Sequence, residues 1–120
     1  MTMNELRKAI AAAPNSIELR RALATKAIGK LAKRNPGAAF EFVRLRDELC
    51  IREGVTTDEL VGPKRARHVV RVREALLTFL DRCDAGFNLS AAMLGMRNHA
   101  SALYAVRRMR QAELARMVGA

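Results

Sequence analysis

Apolar residues recur three and four positions apart along the whole chain, and Pro or Gly interrupts that rhythm at short intervals. The breaks fall at Pro14, Pro36-Gly37, Gly54, Gly62-Pro63, Gly86 and Gly95. No stretch alternates with period two and β-branched residues are sparse, so strands have no pattern to form on. The chain reads as all-α: a compact helical domain built from several short helices. Its 120 residues suffice for a core without disulfides or metal. With aromatic residues at 4%, that core must be mainly aliphatic.

The breakers divide the chain. A first helix is expected from about Asn4 to Ala12, stopped by Pro14. A second, capped by Asn15 or Ser16, reaches about Lys33, where Asn35-Pro36-Gly37 ends it. A third covers about Ala38 to Arg52, with Phe40, Phe42, Val43, Leu45, Leu49 and Ile51 as core candidates, and Gly54 closes it. Thr56-Thr57-Asp58-Glu59 has the form of a capped short helical turn, with Val55 and Leu60 tucked into the core. A long helix from about Arg65 to Asp84 presents Val69, Val72, Leu76, Leu77, Phe79, Leu80 and Cys83 on one broad face. A short helix from about Leu89 to Leu94 precedes Gly95, and a last one runs from about Asn98 past Arg110 to Met117, with Leu103, Val106 and Met109 facing the core. Residues 1–38 read as an N-terminal helical extension and 39–120 as the main domain.

The net charge is +10 and it is uneven. Residues 1–40 carry eight Lys/Arg against two acids, residues 41–61 three against six, and residues 62–120 eleven against four. Such a balance favours an anionic partner, nucleic acid or acidic membrane. No apolar run approaches membrane-spanning length. Charge alone does not choose between an anionic partner and a solvated basic surface, so a motif has to decide. Glu5, Arg7 and Lys8 interrupt the N-terminal segment, so it does not read as a secretory signal, and a cytoplasmic protein is expected. Cys50 and Cys83 are too few and too far apart for a disulfide framework or a zinc site, and read as free core thiols. No His/Cys/carboxylate cluster has metal spacing and no nucleophile–base pair is visible. The chain is therefore read as a non-enzyme with no cofactor and no metal.

The stretch Gly95-Met96-Arg97-Asn98-His99-Ala100-Ser101-Ala102-Leu103-Tyr104-Ala105 carries the functional reading. Arg97, Ser101, Tyr104 and Arg108 are spaced four, three and four apart and share one helical face. Arg107 and Arg110 add charge at the flanks. Two helices joined by a glycine-containing turn form a helix-turn-helix, whose second helix places its N-terminal side chains on base edges in the major groove. Upstream, Lys64-Arg65-Ala66-Arg67, followed by Arg71 and Arg73, offers a flexible arginine for the minor groove and neighbours for phosphates. Several positions fit two roles. Asn98 fits an N-cap or a donor to a base edge; His99 a DNA contact or a residue packed under the turn; Tyr104 a phosphate contact or a packed ring. His68 reads as structural or solvent-facing.

From about Phe40 to Arg110 these residues resemble the C-terminal, domain IV DNA-binding region of DnaA, the bacterial replication initiator. The order matches: a helix, the Val55-Thr56-Thr57-Asp58-Glu59-Leu60 turn, a basic loop, a long helix and the helix-turn-helix. The family signature Gly-Arg-Asp-His-Thr-Thr-Val-Leu-His-Ala is similar to Met96-Arg97-Asn98-His99-Ala100-Ser101-Ala102-Leu103-Tyr104-Ala105 here. The resemblance implies that residues 39–120 form a DnaA-like DNA-binding domain. It implies that Arg65 reaches the minor groove, that Arg73 contacts the backbone or a base, and that Arg97, Asn98, His99 and Ser101 lie at the major-groove surface. Asn98 in place of an acid, Ala100 in place of a hydroxyl residue, and Val72, Glu74 and Asp81 depart from the pattern. They separate DNA binding as such from recognition of the standard DnaA box. The chain has no ATPase module and no phosphate-binding Gly-x-x-x-x-Gly-Lys-Ser/Thr loop. Its layout also resembles the DnaA-like activators of gene transfer agents.

The expectation is a sequence-preferring double-stranded DNA-binding protein, a nucleoid-associated bacterial transcription regulator. Lys64, Arg65, Arg67, Arg73, Arg97, Asn98, His99, Ser101, Tyr104 and Arg108 are its expected DNA contacts. A transcription-machinery protein on the N-terminal helices is a further expected partner. The alternative is a protein-interaction module on a degenerate DnaA-like fold.

Overall fold

A computed structural model describes residues 1–119, leaving the side chain of Ser101 outside the described residues. The described chain is helical throughout, in the order α1 (Met3–Ala12), α2 (Ile17–Arg34), α3 (Pro36–Glu53), α4 (Thr57–Val61), α5 (Arg67–Arg82), α6 (Phe87–Met93) and α7 (Ala100–Gly119). No helix among the described residues is long and apolar enough to cross a membrane.

Local chemistry sets the boundaries. Thr2 and Glu5 form a reciprocal capping box at α1, and Ser16 rather than Asn15 caps α2 by accepting from the Leu19 N–H at 3.3 Å. Asn35 alone separates α2 from α3. Its N–H closes α2 on the Leu31 carbonyl, and its Oδ1 accepts from the Ala38 N–H at 3.1 Å. Pro36-Gly37 therefore opens α3 instead of forming a loop, because a first-turn proline forfeits only an N–H that has no helical partner. At the other end Gly54 adopts φ 66°, and the Val55 N–H reaches back to the Cys50 carbonyl at 2.9 Å. Thr56 and Glu59 form the capping box of α4.

α2 packs on α1, α3, α4 and α6, while α5 packs on α3, α4, α6 and α7. One apolar cluster runs through them all, including Leu6, Ile10, Leu23, Leu31, Phe42, Leu60, Leu76, Leu80, Leu94 and Val106. Residues 1–38 belong to that core, and the boundary expected at 38/39 falls inside α3. A 38-residue extension would leave Leu23, Ala27 and Leu31 facing water. Their burial against the rest of the chain removes that cost.

Phe40 and Ile51, expected inside, are 69% and 84% exposed. They lie three helical turns apart on the same face as Arg44 and Asp47, and these two charges decide which way the face turns. Phe42 and Cys50 are buried instead, and the Cys50 thiol is pushed up by that burial. Cys83 is half-buried, and both cysteines are free thiols.

The connection between α6 and α7 holds six residues, Leu94 to His99, so α7 begins at Ala100, later than expected. The Asn98 Oδ1 accepts from the Ala100 N–H at 3.1 Å, and the Leu103 N–H donates to the His99 carbonyl. Gly95 sits at φ 72°, and a Cβ there would come within 2.7 Å of the Val61 carbonyl oxygen and 2.9 Å of Val61 Cβ. A side chain at Gly95 would push this connection off α4.

Gly95→Ala should therefore lower unfolding stability by about 1–3 kcal/mol, through positive φ and steric overlap together. Gly29→Ala, mid-helix in α2 with nothing near the added methyl, should be neutral or stabilising by up to about 1 kcal/mol. Urea denaturation of the two variants checks the contrast; equal effects would refute the close approach.

Candidate nucleic-acid interface

α4 is five residues long and most of its carbonyls have no intrahelical partner. Arg73, in the second turn of α5, collects them. Its Nε donates to the Leu60 carbonyl at 2.9 Å, and its Nη2 to those of Glu59 at 2.9 Å and Gly62 at 2.7 Å. Nη1 donates to the Lys64 carbonyl. Arg73 is 8% exposed, and burial pushes its guanidinium down from the usual arginine range, with Arg20 and Arg65 pushing the same way. This corrects the expectation of a DNA contact: four of the five N–H donors of the buried Arg73 are spent on its own chain. It shapes the loop that carries the other basic residues.

That loop presents Lys64 and Arg65 to solvent. The Lys64 ammonium is 2.6 Å from a Glu59 carboxylate oxygen, so it is neutralised locally. Lys64 and the Thr56 backbone N–H together hold the Glu59 carboxyl at about 2. Arg65, and Arg67 at the start of α5, are exposed and have no carboxylate partner among the described residues.

Across from the loop, Arg97, Asn98 and His99 are exposed at the entry to α7, and Arg97 too lacks a carboxylate partner among the described residues. Asn98 caps the helix through Oδ1, which leaves its amide nitrogen for another acceptor. Tyr104 is 69% exposed, so its ring is not packed. Ser101 lies in α7, but the role expected of its side chain falls outside the described residues. Arg108 is exposed yet bridges to Glu74 of α5 at 3.1 Å, and Arg110 to Asp81 at 2.6 Å. Glu74 and Asp81 thus pair α5 with α7 along its exposed flank. The core side of α7 is Ala102, Ala105 and Val106, with Leu103 and Met109 half-buried.

Between loop and helix lies an open cleft of about 550 Å³, with Arg65, Arg97, Tyr104 and Arg108 on its walls. The fold thus brings Arg65 of the basic loop and Arg97, Asn98, Tyr104 and Arg108 to a shared cleft, whereas Lys64, Arg67 and His99 do not line it. It adds one residue that the sequence did not mark: Arg20 of α2 also lines the cleft. Its Nε donates to the Pro14 carbonyl at 2.7 Å and its Nη1 to the Gly95 carbonyl at 3.2 Å. Partial burial and the neighbouring Arg97 both push its guanidinium down. In the sequence Arg20 differs in no way from Arg21, which pairs with Asp58 at the surface.

No protein-family model, curated protein or solved structure matches this chain.

Arg73→Leu should destabilise the protein by at least about 3 kcal/mol, because it strands buried carbonyls at the end of α4. A thermal melt indistinguishable from that of the native chain would contradict the role given to this residue. Glu59 adds a pH dependence. Its folded value of about 2 lies below its ordinary 4.5, so its contribution is present above pH 4.5 and fades as pH falls toward 2. Glu59→Gln should therefore lower the urea midpoint near neutrality, with the gap to the native protein closing between pH 4.5 and 2.

Proposed function

We propose that this protein is a sequence-preferring double-stranded DNA-binding protein that regulates transcription, with α6 and α7 acting as a helix-turn-helix. The observation that carries the reading is the pairing of Arg65 and Arg97. Both are solvent-facing, neither has a carboxylate partner among the described residues, and both line one cleft although they lie on separate segments of the chain. Positive charge that the protein does not neutralise itself favours a polyanion.

The end of the α6–α7 connection and the first turn of α7 enter the major groove together. Arg97 has the fork geometry for a guanine edge, and the free amide nitrogen of Asn98 can donate to a base acceptor. His99 contacts a base or a phosphate beside it. Ala100 is exposed and offers a methyl group for a thymine. Arg65 reaches the adjacent minor groove, where a narrow A·T tract strengthens the negative potential. Arg67 and Arg107 lie on phosphates and set the register. The resemblance of residues 96–105 to the DnaA signature supports the same assignment. A protein-docking module is favoured by one observation, the exposed Leu114, Met117 and Val118 on the last turns of α7.

Arg97→Ala should lower affinity for a duplex selected from a random pool by about 1–3 kcal/mol and relax the choice of base at one position. Native binding should weaken steeply with salt. Unchanged affinity and selectivity in the variant would overturn the major-groove role of α7, and no duplex binding at physiological salt would favour the docking module.

A further inference from the structure

The cleft has a feature that neither wall explains. Arg20, Arg65, Arg73 and Arg97 all line it. Burial first, and then repulsion from Arg97, pushes the Arg20 guanidinium down, as burial and then Arg20 and Arg65 do for Arg73. Glu74 is the carboxylate at the cleft, and it is already bridged to Arg108. Repulsion among guanidinium groups is tolerated at a surface when an anion is to be received there.

Arg20 is built to receive one. Two of its nitrogens are fixed by the Pro14 and Gly95 carbonyls, which orients the fork. Its Nη2 makes no hydrogen bond among the described residues, and the side chain lines the cleft. A guanidinium held in this way loses little further freedom on binding and presents its remaining donors at a set angle.

We infer that the cleft seats a backbone phosphate of the bound duplex, and that Arg20 of α2 is a phosphate-binding residue. This rests on the DNA reading above. If Arg65 lies in the minor groove and the first turn of α7 in the adjacent major groove, the sugar–phosphate strand dividing the two grooves must pass between them. The cleft occupies that interval. A phosphodiester there meets Arg20 from α2 while Arg65 and Arg97 flank it. The N-terminal helices thereby take part in DNA binding directly as well as completing the core.

The test uses the full chain as native, Arg20→Gln and Arg20→Lys, each first shown to fold by circular dichroism. Amide shifts are followed during titration with inorganic pyrophosphate, and affinity for a 20-base-pair duplex is measured across a salt series. Pyrophosphate should shift the Gly95 and Arg97 amides of the native protein, and Arg20→Gln should abolish those shifts. In the salt series Arg20→Gln should lose about one unit of the logarithmic salt slope and roughly tenfold in low-salt affinity, with base preference kept. Arg20→Lys, which retains the charge but cannot span both carbonyls, should recover the slope. If the native protein binds duplex and Arg20→Gln keeps its affinity and slope, the assignment of Arg20 fails and the DNA reading stands. That assignment fails equally if Arg20→Lys behaves like Arg20→Gln, for Arg20 would then act only by holding Gly95. If the native protein binds no duplex, the DNA reading fails. The pyrophosphate shifts then decide for or against an anion seat at Arg20.

Discussion

A single buried guanidinium organises the functional end of this molecule. Arg73 ties the carbonyls of Glu59, Leu60, Gly62 and Lys64 to the second turn of α5. Burying a charge is expensive unless it is fully hydrogen-bonded, and here the carbonyls need donors as much as the guanidinium needs acceptors. The result is a loop with little freedom although it contains no regular structure. Its position then propagates. Gly62 lies so close to α2 that a Cβ would come within 2.8 Å of Ile17 Cδ1, and Gly95 lies as close to Val61. α2, α4, α5 and the α6–α7 connection therefore meet around Val61–Gly62, and the placement of Arg65 relative to Arg97 follows from that junction.

The acidic residues explain where positive charge is left over. Glu74 and Asp81 hold Arg108 and Arg110, Asp58 holds Arg21, Glu53 faces Arg71, and Glu59 holds Lys64. Exposed pairs of this kind contribute only about 0–1 kcal/mol each to stability. Their larger effect is on the field. They neutralise the flank of α7 along α5 and leave Arg65, Arg67, Arg97 and Arg107 as cations without carboxylate partners among the described residues. Exposed cations without a carboxylate partner among the described residues also occur elsewhere, at Lys26, Lys30, Lys33, Arg52, Arg82 and Arg116 among others. What distinguishes the cleft is that Arg65 and Arg97 line one concave surface.

The helical class and most breakpoints are legible in the sequence because they rest on chemistry a few residues long. The Thr56–Glu59 box and the Gly54 stop need no tertiary context. Pro36 misleads because a proline that ends one helix and a proline that opens the next look alike. Only the single-residue spacing at Asn35 separates the two cases. Residue type alone puts Phe40 and Ile51 inside, while their alignment with Arg44 and Asp47 points outward. Helical spacing separates Arg73, which shares the face of Val69, Leu76 and Leu80, from Arg71, but does not say what the arginine on that face would bind. Its partners are a set of carbonyls from roughly a dozen residues upstream, brought close by the turn of the chain. Arg20 is hidden for the same reason, since its partners at Pro14 and Gly95 meet only in the folded chain. Of the proposed interface, the two basic stretches are visible in the sequence, but not the cleft that joins them.

The orientation of α7 depends on residues that carry no chemistry. Its buried side is Ala102, Ala105 and Val106, and the small pair lets the helix backbone lie close against α5 and α6. Thr78 reinforces the contact by approaching the Met109 sulfur at 3.4 Å. A larger side chain at Ala102 would have to be accommodated by lifting α7 from the body, because close-packed interiors do not absorb extra methylene groups without backbone movement. Such a lift would carry Arg107, Arg108 and Arg110 away with the helix although no charged residue is itself changed. The seat of α7 is therefore set by alanines, as the placement of Arg97 is set by Gly95 against Val61, and a resemblance read from the polar residues of the motif draws on only half of what positions them.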